Sequence, residues 1–178
     1  MKKIWILALM VVTAKISIAQ YKPADKGSTL QFTIKNLGFD VNGTFAGVKG
    51  MINFDNQYPA GSSFDVTIDA NTINTGNSLR DSHLRGDSYF DVKNYPVIRF
   101  VSAKIAPSTK SGVFIVSGKL TIKNTSRDIS FPFTAAPSNS DYIFKGSFKI
   151  NRKDFDVGGT STISNELEVY LNVLAKKV

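Results

Sequence analysis

The chain contains a single histidine, His83, and it stands in the most densely charged stretch of the sequence, among Arg80, Asp81, Ser82, Arg85 and Asp87. These are the residue types from which a hydrolytic triad is assembled, with a carboxylate orienting an imidazole that takes a proton from a hydroxyl. The spacing argues against it. Asp81, Ser82 and His83 are consecutive, and successive residues of a helix point in different directions, so the three cannot converge on one another. The ordinary alternative is structural, with Arg80 and Asp81 bonding nearby backbone and His83 packing over whatever lies beneath. Contact with the polar head of a bound molecule is the third reading, and no catalytic residue is assigned.

Other chemistries lack their raw material. A transition-metal site needs several histidines, cysteines or clustered carboxylates, whereas the chain has one histidine and no cysteine. There is no phosphate-cradling glycine loop, so no cofactor is expected. Lys35, Lys49, Lys119, Lys145 and Lys149 are scattered as solvated charges, where a nucleic-acid binder would gather them into a stripe.

The elements that must position His83 are legible on either side of it. Asn77 can accept from the first-turn amides of a helix from Ser78 to Arg85, with Gly86 as a left-handed stop, giving one short helical insert at about 77–86. Asp81 and Arg85, four residues apart, share a face. Leu79, Leu84, Tyr89 and Phe90 are the residues that would pack this insert against a sheet or lay it across an opening.

Nearly everything else alternates with a period of two, the signature of strands with one buried face. Leu30, Phe32 and Ile34 begin the pattern. Phe39, Val41, Gly43 and Phe45 continue it, then Val48, Gly50, Ile52 and Phe54 after a bend at Gly47, and Phe64, Val66, Ile68 and Ala70 after a Pro59-Ala60-Gly61 turn. Beyond the insert come Ile98 and Phe100; Phe114, Val116, Gly118, Leu120 and Ile122; Ile129, Phe131 and Phe133; Tyr142, Phe144, Gly146, Phe148 and Ile150; and finally Leu167, Val169, Leu171, Val173 and Ala175. Pro132 falls on the outward parity and requires a bulge or an unpaired amide. The expected fold is all-β, a closed antiparallel barrel of eight or nine strands. A sandwich would bury the same faces, but closure also removes the aggregation-prone edges.

The N-terminus reads as a secretory signal over residues 1–19: Lys2 and Lys3, an apolar run over residues 4–12, and Ser17-Ile18-Ala19 as a small-x-small cleavage site. The apolar run is too short to span a bilayer. Removal leaves residues 20–178 as one domain, large enough for its own core. Three of the 22 basic residues and none of the 14 acidic ones lie in the removed segment, so the net charge falls from +8 to +5. Such a charge favours solubility and permits loose, transient contact with a membrane surface. A homodimer stays open.

On this parity eleven of the thirteen phenylalanines face inward, together with four glycines, Gly43, Gly50, Gly118 and Gly146. An eight-stranded barrel is just wide enough to be filled by side chains or to hold one small ligand. Glycine beside phenylalanine can leave an aromatic-walled slot, and equally it can relieve crowding where strands bend. The inward positions carry no charge, so a ligand there must be apolar. Nine-residue strands tilted by about 40° enclose a tunnel on the order of 20–25 Å deep, suited to a hydrocarbon chain. The candidate wall is Phe32, Phe45, Phe54, Phe64, Phe100, Val116, Gly118, Phe131, Phe144, Gly146 and Phe148, with Arg80, His83, Tyr89, Phe90 and Asn36 as head-group or lid candidates.

Across nearly the whole mature chain the sequence resembles the YceI-like family of exported polyisoprenoid-binding proteins. The resemblance rests on Ser28-x-Leu30-x-Phe32, Gly43-Thr44-Phe45, Ile73-Asn74-Thr75-Gly76, Arg80-Asp81-x-His83-Leu84, Tyr89-Phe90-Asp91, Tyr95-Pro96-x-Ile98-x-Phe100, Gly118-x-Leu120-Thr121-Ile122 and Asn151-Arg152-x-Asp154-Phe155 in that order. It implies a lipocalin-like barrel with a helix against it, holding an isoprenoid, an isoprenoid quinone or a similar long-chain lipid, in the periplasm or outside the cell. The chain differs where members often carry a histidine at the end of the first strand, here Asn36, and a glycine after the Arg-x-Asp-Phe motif, here Asp156.

Overall fold

The computed structural model describes residues 18–160 and 162–178; most of the expected secretory segment lies outside the described residues. Eight strands follow one another: β1 (Gln20–Asn36), β2 (Phe39–Asn53), β3 (Ser63–Asn74), β4 (Val97–Pro107), β5 (Val113–Ile122), β6 (Thr125–Ser138), β7 (Asp141–Asn151) and β8 (Ile163–Lys177). Each pairs antiparallel with the next, and β8 returns to pair with β1, so the sheet closes. Closure, with Phe32 opposite Val169 on one side and opposite Gly43 on the other, excludes the sandwich. The one α-helix among the described residues, α1 (Ser78–Arg85), lies between β3 and β4.

Strict alternation breaks where the barrel must bend. β1 begins at Gln20, eight residues before the alternation becomes readable, because its register slips between Ala24 and Thr29 around Gly27, whose φ is 96°. The Asp25 carboxylate accepts from the amides of Gly47 (2.6 Å) and Val48 (3.1 Å), tying this bulge to the bend in β2. Pro132 stays in register with Ile115 of β5, while the β6–β7 ladder starts only at Phe133, so the proline stands just beyond its end.

Because the strands are sequential and antiparallel, the links β1–β2, β3–β4, β5–β6 and β7–β8 gather at one end, with α1; the remaining links gather at the other. That second end is solid. Phe54, 1% exposed, is surrounded by the rings of Phe64, Phe114, Phe133, Tyr142 and Phe144 at centroid separations of 5.2–6.5 Å, mostly edge to face. Tyr21 packs edge-on against Tyr142 at 5.2 Å. Burial, followed by the neighbouring Tyr142, Asp55 and Asp141, pushes the Tyr21 phenol above its ordinary pKa and keeps it neutral.

Two local expectations are corrected. Phe39, expected inward, is 77% exposed, because it lies at the hairpin rim where β2 has no strand wall facing it. Gly86 is extended (φ −68°, ψ 170°), not left-handed; the chain leaves α1 extended and turns later, with Asp91 at φ 46°.

Candidate functional site

Between the aromatic floor and α1 the barrel encloses a cavity of about 260 Å³. On the measure by which one water needs roughly 10–15 Å³, this is a hollow and not a packing defect. Every strand contributes to its wall, among them Ile34, Val41, Val66, Ile68, Leu120, Ile129, Leu167, Val169 and Leu171. The wall is almost wholly hydrocarbon. Arg80 and Arg152 stand at its mouth, Lys145 borders it from an exposed, outward-facing position of β7, and among the described residues no carboxylate borders it.

Of the expected wall residues, Phe32, Phe45, Phe64, Phe100, Phe131, Phe144, Gly146 and Phe148 border the cavity. Phe54, Val116 and Gly118 do not. Phe54 is the centre of the floor, and Val116 is fully buried beside it in the same cluster. A Cβ on Gly118 would meet the Val101 carbonyl oxygen, the Ser102 Cα at 2.7 Å and the Phe100 ring at 2.8 Å, at a register shift between β4 and β5. This glycine admits a neighbouring backbone, so it opens no slot. Gly43 is covered by the ring of Phe32, its cross-strand partner, and Gly50 abuts the backbone of Asp65 and Val66. Only Gly146 of the four borders the hollow. Its Cβ would lie 3.0 Å from the Pro132 carbonyl oxygen and 3.5 Å from the Phe131 ring, beside the stacked pair Phe131 and Phe148 at 4.5 Å.

The open end is shaped by α1 and what it holds. Asn77 caps the helix through its side-chain oxygen, which accepts from the Arg80 amide at 3.0 Å. Buried Asp81 accepts from the Thr75 amide (2.9 Å) and hydroxyl (2.5 Å). Arg80 donates to the Thr75 hydroxyl (2.7 Å) and carbonyl (2.8 Å), and Arg85 to the carbonyls of Asn71 and Ile73, both at 2.8 Å. Asp81 and Arg85 therefore share a face but bond separately to the end of β3. Leu84, Tyr89 and Phe90 face the cavity, and the Phe90 ring meets Phe45 at 5.6 Å, so α1 and the segment after it roof one side of the mouth.

Asn36 and Arg80 border both the cavity and a shallow hollow outside it, where Asn77, Leu79 and exposed His83 also lie. The Asn36 side-chain oxygen accepts from the Thr162 hydroxyl at 2.7 Å. Arg152, 6% exposed, begins the turn Arg152–Phe155 and also gathers the carbonyls of Val157, Gly158, Ile163 and Ser164 at 2.8–3.1 Å. It thereby pins the loop that forms the opposite side of the mouth. Asp156 sits at φ 54°, a conformation natural to glycine, and accepts from Thr125 at 3.3 Å without bordering the cavity.

The family model of the YceI-like domain matches residues 21–175. A UPF0312 protein of Yersinia pestis (strain Pestoides F) is 28% identical over 176 residues, covering 93% of this chain and 91% of its own length. Among solved structures, Burkholderia cenocepacia BcnA superposes with a TM-score of 0.82 at 28% identity, covering 86% of this chain and 99% of that one. A polyisoprenoid binding domain from Saccharophagus degradans, implicated in plant cell wall breakdown, has a TM-score of 0.73 at 17% identity, covering 91% of this chain and 100% of that one. At that identity the likeness is one of fold.

Proposed function

The chain belongs to the YceI-like family, and from that membership we propose that it is an exported, non-catalytic carrier of a long-chain lipid such as a polyisoprenoid or isoprenoid quinone. Residues 20–178 act as one domain. The lipid tail lies along Phe32, Phe45, Phe100, Phe131 and Phe148, and the polar head stays at the mouth near Asn36, Arg80 and Tyr89. The observation that carries this reading is the hydrocarbon-lined hollow, closed below by the Phe54 cluster and roofed in part by α1.

The mechanism is hydrophobic transfer. At about 0.8 kcal/mol per buried CH₂, ten carbons contribute roughly 8 kcal/mol before ordering costs are subtracted. The positive charges at the mouth suit a head that accepts hydrogen bonds. A barrel filled by its own side chains, serving as a surface interaction module, would have no use for a hollow of this size.

Organic extraction of protein purified from its own host, followed by mass spectrometry, tests the reading. A long-chain lipid near one equivalent per chain is expected, and an extract containing none would overturn it.

A further inference from the structure

Among the described residues, the three most exposed large apolar side chains, Phe39 (77% exposed), Leu37 (69%) and Leu79 (67%), all stand at the open end; at the closed end Val178 (66%), the last residue, and Tyr58 are exposed singly. Leu37 and Phe39 flank Asn36 on the β1–β2 hairpin, and Leu79 projects from the first turn of α1 into the border of the hollow that Asn36 shares. Leu37 also breaks a local rule. In the two-residue hairpin Leu37-Gly38 both residues have positive φ, 51° and 86°, a geometry that favours asparagine, aspartate or glycine at the first position. A leucine there is strained by its backbone and unpaid by burial, which marks it as serving something outside the folded chain.

We propose that Leu37, Phe39 and Leu79 form a docking rim on which the open end of the barrel settles onto a lipid bilayer surface. The inference rests on the carrier reading, since a bilayer is where a ligand of such a hollow is exchanged. Continuity with the mouth favours this occupant: Asn36, between the two hairpin side chains and the hollow, also lines the cavity. Area disfavours a second copy of the chain. The three side chains present on the order of 450 Å², well under the roughly 800 Å² that each partner gives to a stable protein interface. They are also separate points around an opening, a shape that penetrates a deformable headgroup layer better than it matches a rigid surface. The adjacent Lys35 and Asp40 pair at 2.8 Å, so the hairpin that carries Leu37 and Phe39 adds no net charge and contributes through insertion of its side chains.

The test is co-flotation of the purified protein with phosphatidylcholine vesicles, beside a Leu37→Ser/Phe39→Ser/Leu79→Ser variant and a single Leu37→Asn variant. The wild type is expected to float, and the triple variant to lose at least about tenfold in partitioning. Leu37→Asn should separate binding from folding: its thermal midpoint rises by about 2–4 °C as the turn relaxes, while partitioning falls about threefold. A wild type that stays with the unbound fraction, equal flotation of all three proteins, or a wild-type dimer that the triple variant dissolves would each overturn the proposal. None of the three residues borders the main cavity, so when lipid is supplied in detergent micelles, with no bilayer to reach, wild type and triple variant should load equally. Flotation thus decides docking, and extraction decides carriage.

Discussion

Gly118 and Gly146 project toward the same interior, yet a side chain would do opposite things at the two positions. At Gly118 a methyl would collide with the Val101 carbonyl and the Ser102 backbone, neither of which is a flexible tip. Gly118→Ala is therefore expected to lower unfolding free energy by about 1–3 kcal/mol, read as an earlier urea midpoint at unchanged slope. A midpoint equal to wild type would contradict that packing. At Gly146 the first carbon would lie 3.0 Å from the Pro132 carbonyl oxygen, tight but not a collision, and the position borders the hollow that a longer side chain would narrow. The sequence placed both glycines inward correctly because parity is a local property. It could not tell a glycine that admits a neighbouring strand from one that borders space, because that depends on a register shift between β4 and β5. Phe39 went wrong for a related reason: alternation continues to the last residue of a strand, whereas the wall it faces does not.

Among the elements, α1 was read to the residue, since its N-cap is a contact of Asn77 with an amide three residues on. Its docking was less accessible. That Arg80 and Asp81 would bond backbone was expected, but the partner chosen by Arg85, the carbonyl row ending β3, lies twelve to fourteen residues away and leaves no pattern in the sequence. The same holds for Arg152, whose acceptors follow it across a loop. If these contacts hold the roof in place, Asp81→Ala should cost about 1.5–3 kcal/mol of local stability. Hydrogen exchange should then speed up in the amides of α1 and Thr75 while the β5, β6 and β7 ladders keep their protection. Uniform acceleration across the barrel would show instead that α1 and the sheet open as one unit.

At the scale of the whole molecule, the strand pattern predicted one apolar face per strand, and the barrel was preferred to the sandwich because closure removes edges; the pairing of β8 with β1 bears that out. Hollowness was further from reach. The phenylalanines divide between a floor around Phe54 and a wall around the cavity, and the alternation of inward residues is identical in both. What makes the division is where rings converge in space: five surround Phe54, whereas the upper rings meet in smaller groups along the wall, Phe32 with Phe45 and Phe131 with Phe148, between aliphatic side chains of β2, β3, β5 and β8. The account therefore depends on that upper space being occupied by an oily molecule in the working protein. Native mass spectrometry of the protein from its host, with Gly146→Leu measured alongside, addresses this most directly. The wild type should carry the added mass of one long-chain lipid, and the variant, folded but with its hollow narrowed, should carry it in less than about a tenth of molecules. A wild-type chain at its bare mass, or a variant loaded as fully as wild type, would contradict the account.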